Sequence, residues 1–311
     1  MLRVEHQARQ SSCRPRAFMK AYIIFNPRAG SVTDRKKITA QLKRLKPIAI
    51  KMTRRSGDAE RWARAALRTK CDCVIAAGGD GTLNGVVNGI ATSRRRVRVG
   101  IMPLGTGNDF ARTLGLPLGL EENVDILRRG KQRRIDLVRV KSKRARYFVN
   151  VSAGGFSGTV DANMTAKIKR TWGPLAYLRG AAAALPDLHA YKARILLDDA
   201  EEISAQLYNI VIANGRFVAG GLPIAPNADP SDGLLDIVLI PKLGAAEMAL
   251  LAAEIILGKH ISSNATIFRR AKKIELRAEP GMWFNVDGEL VGSAPAVFQI
   301  IPQGLSFIVR K

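Results

Sequence analysis

The seventeen residues VIAAGGDGTLNGVVNGI, Val74 to Ile90, pass from a strand pattern to a helix pattern through glycines. CVIAA (Cys73 to Ala77) is a short apolar run of the kind found in buried strands. Leu83, Val86, Val87 and Ile90 recur at helical spacing. GGDGT, Gly78 to Thr82, lies between them. In a parallel sheet such a loop sits at the carboxyl edge, where ligands bind. Glycines let the backbone approach a phosphate, and the N–H groups at the following helix N-terminus favour negative charge. Asp80 would repel a bare phosphate. Its presence points either to a Mg²⁺ beside the phosphates or to a proton acceptor.

The pattern repeats on both sides. Upstream, AYIIF (Ala21 to Phe25) reads as a strand that ends at NPRAG, which puts Arg28 and Gly30 on the same rim. IAIKM (Ile48 to Met52) is a second strand. Ser56 or Asp58 caps a helix whose apolar positions are Ala59, Trp62, Ala63, Ala66 and Leu67. Downstream, VRVGIM (Val97 to Met102) runs into PLGTGNDFAR, Pro103 to Arg112. There Thr106 and Gly107 can reach a phosphate or ribose, Asn108 or Asp109 can cap the next helix, and Arg112 adds a cation. Strands separated by helices imply a mostly parallel sheet. Neither a Walker A lysine motif nor GxGxxG at the first strand is present, so the P-loop and dinucleotide fingerprints fail.

After about Ile135 the texture changes to IDLVRV, YFVNVS, ARILLD, AQLYNIVIA, GLLDIVLI, KIELRA, MWFNVDG and AVFQIIP. These runs predict an antiparallel sandwich or barrel. Helical pieces at Pro174 to Leu185 and Ala245 to Leu257 interrupt them, and the last run, LSFIVRK, is placed to return to the first half. The expected division is an α/β domain over residues 19–134, completed by 303–311, and a β-sandwich domain over 135–302. Residues 1–18 are basic, with Glu5 as the one acid, and form no clear element. They read as disordered, or as a non-native start preceding a true start at Met19.

Two turns in the second half carry carboxylates. NVDGEL (Asn285 to Leu290) holds Asp287 and Glu289; DG is also an ordinary hairpin turn. ADPSDGLLD (Ala228 to Asp236) offers Asp229, Asp232 and a carbonyl near Leu234, either as a plain turn or as oxygen ligands for a hard cation.

Composition bounds the function. The chain has 311 residues, 47% hydrophobic and 24% charged, as in an ordinary globular protein. No apolar stretch reaches the ~18 residues of a membrane span. Three cysteines suit a reducing cytosol, and three scattered histidines argue against a His-based metal site or a Ser-His-Asp triad. Fifty Lys and Arg against 26 Asp and Glu give +24. Such an excess fits nucleic acid, an anionic membrane or a phosphorylated substrate, or reflects solubility alone.

Taken together, GGDGTLN, PLGTGNDFAR, NG…GGLPIAPNADPSDGLLD and VDGE resemble the diacylglycerol kinase catalytic family, above all its soluble bacterial lipid kinases. GGDGT alone is shared with NAD kinases and, loosely, phosphofructokinases. The resemblance implies an NAD kinase-like α/β nucleotide domain and an antiparallel β-sandwich domain with the site between them. It implies ATP bound by Asn26, Pro27, Arg28, Ala29, Gly30 and Thr53. Further ATP contacts are implied at Gly79, Asp80, Gly81, Thr82, Leu83, Asn84, Gly85 and Thr106, and the loop reading adds Gly78, Gly105, Gly107, Asn108, Asp109 and Arg112 as nucleotide-binding candidates. It implies that Glu289 takes the proton of a lipid hydroxyl and that a structural Mg²⁺ sits at Asp229, Asp232 and Leu234; on the residues alone, Asp287 and Asp80 are lesser candidates for the base. One position departs: the family usually carries Glu where this chain has Gly85.

The expected partners are ATP, a lipid hydroxyl and an anionic membrane surface met peripherally from the cytoplasm. A homodimer is also open. Basic stretches at Arg94 to Arg98, Arg128 to Arg134, Lys141 to Arg146, Lys167 to Arg170 and Arg269 to Lys273 could contribute to membrane contact. Other readings are a soluble NAD kinase-like enzyme and a non-catalytic nucleotide or nucleic-acid binder. Nucleic acid is not expected, because aromatic-rich basic strands and a helix-turn-helix signal are missing.

Overall fold

Ala21–Phe25 is buried at every position, so this strand (β1) has to be covered on both faces. The computed structural model, which describes residues 19–155, 189–287 and 289–311, supplies the two covers. Around β1 lie β2 (Ala49–Met52), β3 (Cys73–Gly78) and β4 (Arg98–Pro103), in the parallel order β2-β1-β3-β4. One face is packed by α2 (Asp58–Ala66) and α3 (Asp80–Ile90), the other by α1 (Arg35–Lys43) and α5 (Leu120–Arg129). A short helix, α4 (Asp109–Thr113), follows the glycine loop after β4.

Two long strands carry the sheet into the second half. β5 (Lys131–Lys141) and β15 (Ala296–Val309) pair antiparallel along almost their whole length. The far end of β15 lies parallel to β4 through Ser306↔Arg98 and Phe307↔Val99. Phe307 thereby enters the first core, edge-on to Phe110 at 5.4 Å. AVFQIIP and LSFIVRK, read as separate runs, are one strand. Its register shifts between Ile301 and Leu305, where Gln303 takes φ 52 and donates its N–H to buried Asp136.

YFVNVS, in contrast, is not one strand. It divides into β6 (Ala145–Phe148), paired with β5, and β7 (Val151–Gly155), paired with β9 (Glu201–Ala213). The break falls at Asn150, whose carbonyl accepts the N–H groups of Asn214 and Gly215 while its amide donates to Phe217 O. This lets the chain change pairing partners.

β8 (Tyr191–Leu197), β10 (Leu235–Pro241), β11 (Ile267–Ala271), β12 (Lys273–Glu279), β13 (Trp283–Val286) and β14 (Glu289–Ser293) complete the antiparallel half. Its core centres on Phe148, Phe284 and Phe298. The one α-helix described there, α6 (Ala245–Ile256), ends two residues before Gly258, which has φ +67. The expected helix at Pro174 to Leu185, residues 1–18 and the basic stretch Lys167 to Arg170 lie outside the described residues.

Candidate active site

Three glycine-bearing loops meet at the carboxyl edge of the parallel sheet. The first, after β1, is tied to the second by Asn26, whose N–H donates to Ala77 O and whose Nδ2 lies 3.4 Å from Thr82 Oγ1. Ala29 N–H closes the turn on Asn26 O, spanning Pro27, and Arg28 N–H donates to Asn26 Oδ1. Ser31 fastens the same loop to the third: its N–H donates to Leu104 O and its Oγ to Gly105 O. Thr53, at the end of β2, donates its N–H to Phe25 O and so lies on the rim.

The loops approach so closely that side chains would not fit. A Cβ on Gly105 would lie 2.5 Å from Gly79 Cα, and one on Gly30 would lie 2.4 Å from Thr106 Cγ2. Asn108, at φ 54, locks the third loop by accepting from Gly105 N and donating to Gly105 O. It therefore stands at the start of α4 without capping it through its side chain. Asp109 is likewise no cap, because its carboxylate points away to Gly220. Asp58, the cap expected for α2, lies inside that helix and accepts the N–H groups of Arg54 and Arg55 from the preceding turn.

At α3 the cap residue is Gly79, which offers no side chain to the first amides, and the space above Gly81 is open. Uncapped amides at the positive end of an eleven-residue helix, in open space on a sheet rim, fit an anionic ligand such as a polyphosphate. Two residues of the expected set sit elsewhere. Leu83 is a core residue, and Gly85 faces α2, where a Cβ would lie 2.7 Å from Ala59 Cβ.

Three carboxylates gather beside this helix end. Asp80 Oδ1 accepts Phe110 N–H, and burial nonetheless pushes its carboxyl up. Asp109 accepts Gly220 N–H through both oxygens, at 3.0 and 3.1 Å. Burial, then the charge of Asp80, push Asp109 up to about 6. Both carboxylates face Gly107, within 3.1 and 3.2 Å of where a Cβ would be. Asp287 arrives from the other half. It opens the tight β13–β14 turn at φ 45, and its carboxylate accepts Asn84 Nδ2 at 3.0 Å and Val151 N–H at 3.1 Å. Burial lifts it to about 7, with Asp80 adding to the rise. Glu289 begins β14, opposite Val286 across the same turn; its side chain lies outside the description.

Two features were not read from the sequence. Ala219, Gly220 and Gly221 all have positive φ, and this loop reaches both Asp109 and Arg112. Arg112 in turn donates Nε–H to Gly107 O. The consecutive glycines of VAGGLP were the available signal. Asn84 and Asn88 both donate to Tyr147 O, which anchors α3 on the strand half.

The two candidate cation sites differ. Asp80 and Asp109 together fit a Mg²⁺ that takes its remaining ligands from phosphates and water. Asp229 and Asp232 are engaged by guanidinium groups. Arg133 donates to Asp229 at 2.6 Å, and Arg270 pairs with Asp232 and with Asp236. Asp232 Oδ1 also accepts Leu234 N–H. With both charges matched by arginine, these side chains do not fit a divalent cation as they stand. Among the described residues no cluster of three or more His, Cys, Asp or Glu forms a metal site.

Comparison with known proteins agrees with this architecture. Residues 20–140 match the diacylglycerol kinase catalytic domain, and residues 150–309 match the YegS C-terminal NAD kinase beta sandwich-like domain. A diacylglycerol kinase of Staphylococcus epidermidis is 33% identical over 297 residues, covering 94% of this chain and 92% of its own. A crystal structure from Bacillus anthracis superposes with a TM-score of 0.83 at 24% identity, over 97% of this chain and 98% of that one. An NAD kinase from Archaeoglobus fulgidus shares the fold at a TM-score of 0.51 and 16% identity, over 94% of each chain. With its two halves matched in order and a relative this similar along nearly its whole length, the chain belongs to the diacylglycerol kinase family.

Proposed function

We propose that the protein transfers the γ-phosphate of ATP to the hydroxyl of a membrane lipid, such as diacylglycerol or a sphingoid lipid. The observation that carries this reading is the meeting of two parts. The uncapped N-terminus of α3 stands beside Asp80 and Asp109, and the Asp287 turn of the strand half is hydrogen-bonded to Asn84 of the same helix.

In this reading the amides at the start of α3 receive phosphate oxygens, and the close-packed loops at Gly30, Gly79 and Gly105 shape the floor beneath them. ATP, when bound, would supply the phosphoryl group, and a Mg²⁺ bound with it would neutralise the charge that develops on that group. Asp80 and Asp109 would hold the ion. Glu289 accepts the proton of the attacking hydroxyl, and Asp287 is the next candidate. A carboxyl lifted to about 7 has the proton affinity a base needs near neutrality. Arg112, fixed against Gly107 and Gly221, places a cation beside the carboxylates. Phosphoryl transfer depends chiefly on such positioning and charge matching.

Among the described residues no helix is long and apolar enough to cross a membrane. The lipid is therefore proposed to be met at the surface of an anionic bilayer. The test is transfer of labelled γ-phosphate from MgATP to a panel of lipids in mixed micelles, wild type beside Glu289→Gln. Labelled lipid from wild type and a loss of about 10²–10⁴-fold in the variant are expected. Normal turnover by Glu289→Gln would overturn the assignment of the base. Labelling of NAD in place of every lipid would overturn the substrate class.

A further inference from the structure

Helix α6 departs from the pattern of the other helices. Ten of its twelve residues, AAEMALLAAEII, are apolar, yet Leu251 is its one buried residue. A helix lying on a soluble core normally hides an apolar stripe and turns charge outward. Here Leu250 is 65% exposed, Leu257 just beyond the helix is 67% exposed, and Ile256 is 47% exposed. Ala246, Leu250, Ala253 and Leu257 follow one another at intervals of four, three and four, which makes a single outward stripe.

The charges around the stripe select its occupant. Glu247 is folded back on the helix start, accepting Gly244 N–H at 2.8 Å, and Glu254 is half-buried. The exposed charges just beyond the two ends are both lysines, Lys242 and Lys259. An apolar stripe bracketed by cations matches the interface of an anionic bilayer. A second copy of the chain is a poor match, because two molecules of formal charge +24 repel.

The stripe is also joined to the carboxylate site. Gly258 lies against Pro223 and Pro226, and His260 Nε2 is 2.8 Å from Ile224 O. The same loop begins at Gly220, whose N–H is bound by Asp109. We infer that α6 lies in the headgroup region of an anionic bilayer with its Leu250–Leu257 stripe among the acyl chains. It thereby holds the 220–226 loop, and the carboxylates behind it, against the surface that contains the lipid substrate. The purpose of this docking rests on the lipid-kinase reading; the docking itself does not.

The test is flotation of the full chain with phosphatidylcholine vesicles, with and without phosphatidylglycerol, for wild type and for Leu250→Ser/Leu257→Ser. Wild type is expected to float with the anionic vesicles and to be partly released by salt. The double variant is expected to partition at least about tenfold less, since two large apolar side chains lose their burial. Its melting and its turnover of a short-chain diacylglycerol kept below its micellar concentration should match wild type, because both leucine side chains are exposed. Failure of wild type to float, or equal flotation of the two proteins, would overturn the inference. So would a wild-type dimer in sedimentation velocity that the variant converts to monomer, since a second copy would then cover the stripe. If flotation separates the two proteins while neither phosphorylates any lipid, docking stands and the kinase reading falls.

Discussion

Asp80, Asp109 and Asp287 are raised together, and by the same cause. Each is desolvated, and Asp80 raises the other two by its charge. This has a sign that can be measured. A carboxyl raised on folding binds more protons in the folded chain than in the unfolded one. Its contribution to stability is full below the ordinary carboxylate range and is lost as pH climbs through its folded value, here about 6 for Asp109 and about 7 for Asp287. The ligand-free protein should therefore melt at a higher temperature at pH 6 than at pH 8. Asp287→Asn cannot titrate, so it should flatten this slope while keeping the polar contact to Asn84. Melting curves across pH 5.5–8.5 for both proteins are the check. Identical slopes would show that Asp287 is ionised throughout, as an ordinary carboxylate is.

Gly85 is explained by the element on which it stands. α2 and α3 cross with Ala59 and Ala63 set against Gly85 and Gly89; a Cβ on Gly89 would lie 2.5 Å from Ala63 Cβ. At the position where the family resemblance leads one to expect Glu, this chain has a close helix contact with no room for one. Replacing an interior helical glycine by alanine gains up to about 1 kcal/mol of propensity, but overpacking a tight contact costs about 1–3 kcal/mol. Gly85→Ala should therefore be destabilised on balance, and Gly85→Glu, which also brings a carboxylate to the contact, more severely. Urea unfolding of both variants tests this; a midpoint for Gly85→Glu equal to wild type would show that α2 moves aside freely. The same scale explains what could be read in advance. β1, β3, β4 and α3 were legible because apolar periodicity and glycine punctuation are local signals. The break at Asn150, the joining of two runs into β15, and the contact of Asn84 with Asp287, 203 residues away in sequence, were not. Each of these depends on which strand lies next to which, and no local signal carries that. Asp229 and Asp232 were legible as a carboxylate pair, but their arginine partners come from β5 and β11, distant in sequence.

At the scale of the molecule, part of the positive charge is matched within the fold. Several cations from the basic stretches are used within the fold: Arg98 with Asp72, Arg146 with Glu60, Arg269 with Glu201, and Arg95 on the carbonyls of Leu67, Thr69 and Cys71. The two halves also share a strand. The end of β15 adds a strand beside β4, and Leu305, Phe307, Ile308 and Val309 are all buried there, Phe307 completely. Burying a large apolar side chain stabilises by about 1.5–3 kcal/mol, so these four together are worth roughly 6–12 kcal/mol. The whole stability of a typical folded domain is about 5–15 kcal/mol. A chain ending at Pro302 should thus lose its cooperative melt, although every glycine loop and carboxylate of the candidate site is still encoded. Near-ultraviolet circular dichroism and limited proteolysis would report the loss. A truncated chain that melts cooperatively and still binds ATP would mean that the α/β half closes its own sheet at β4, with β15 only resting on it.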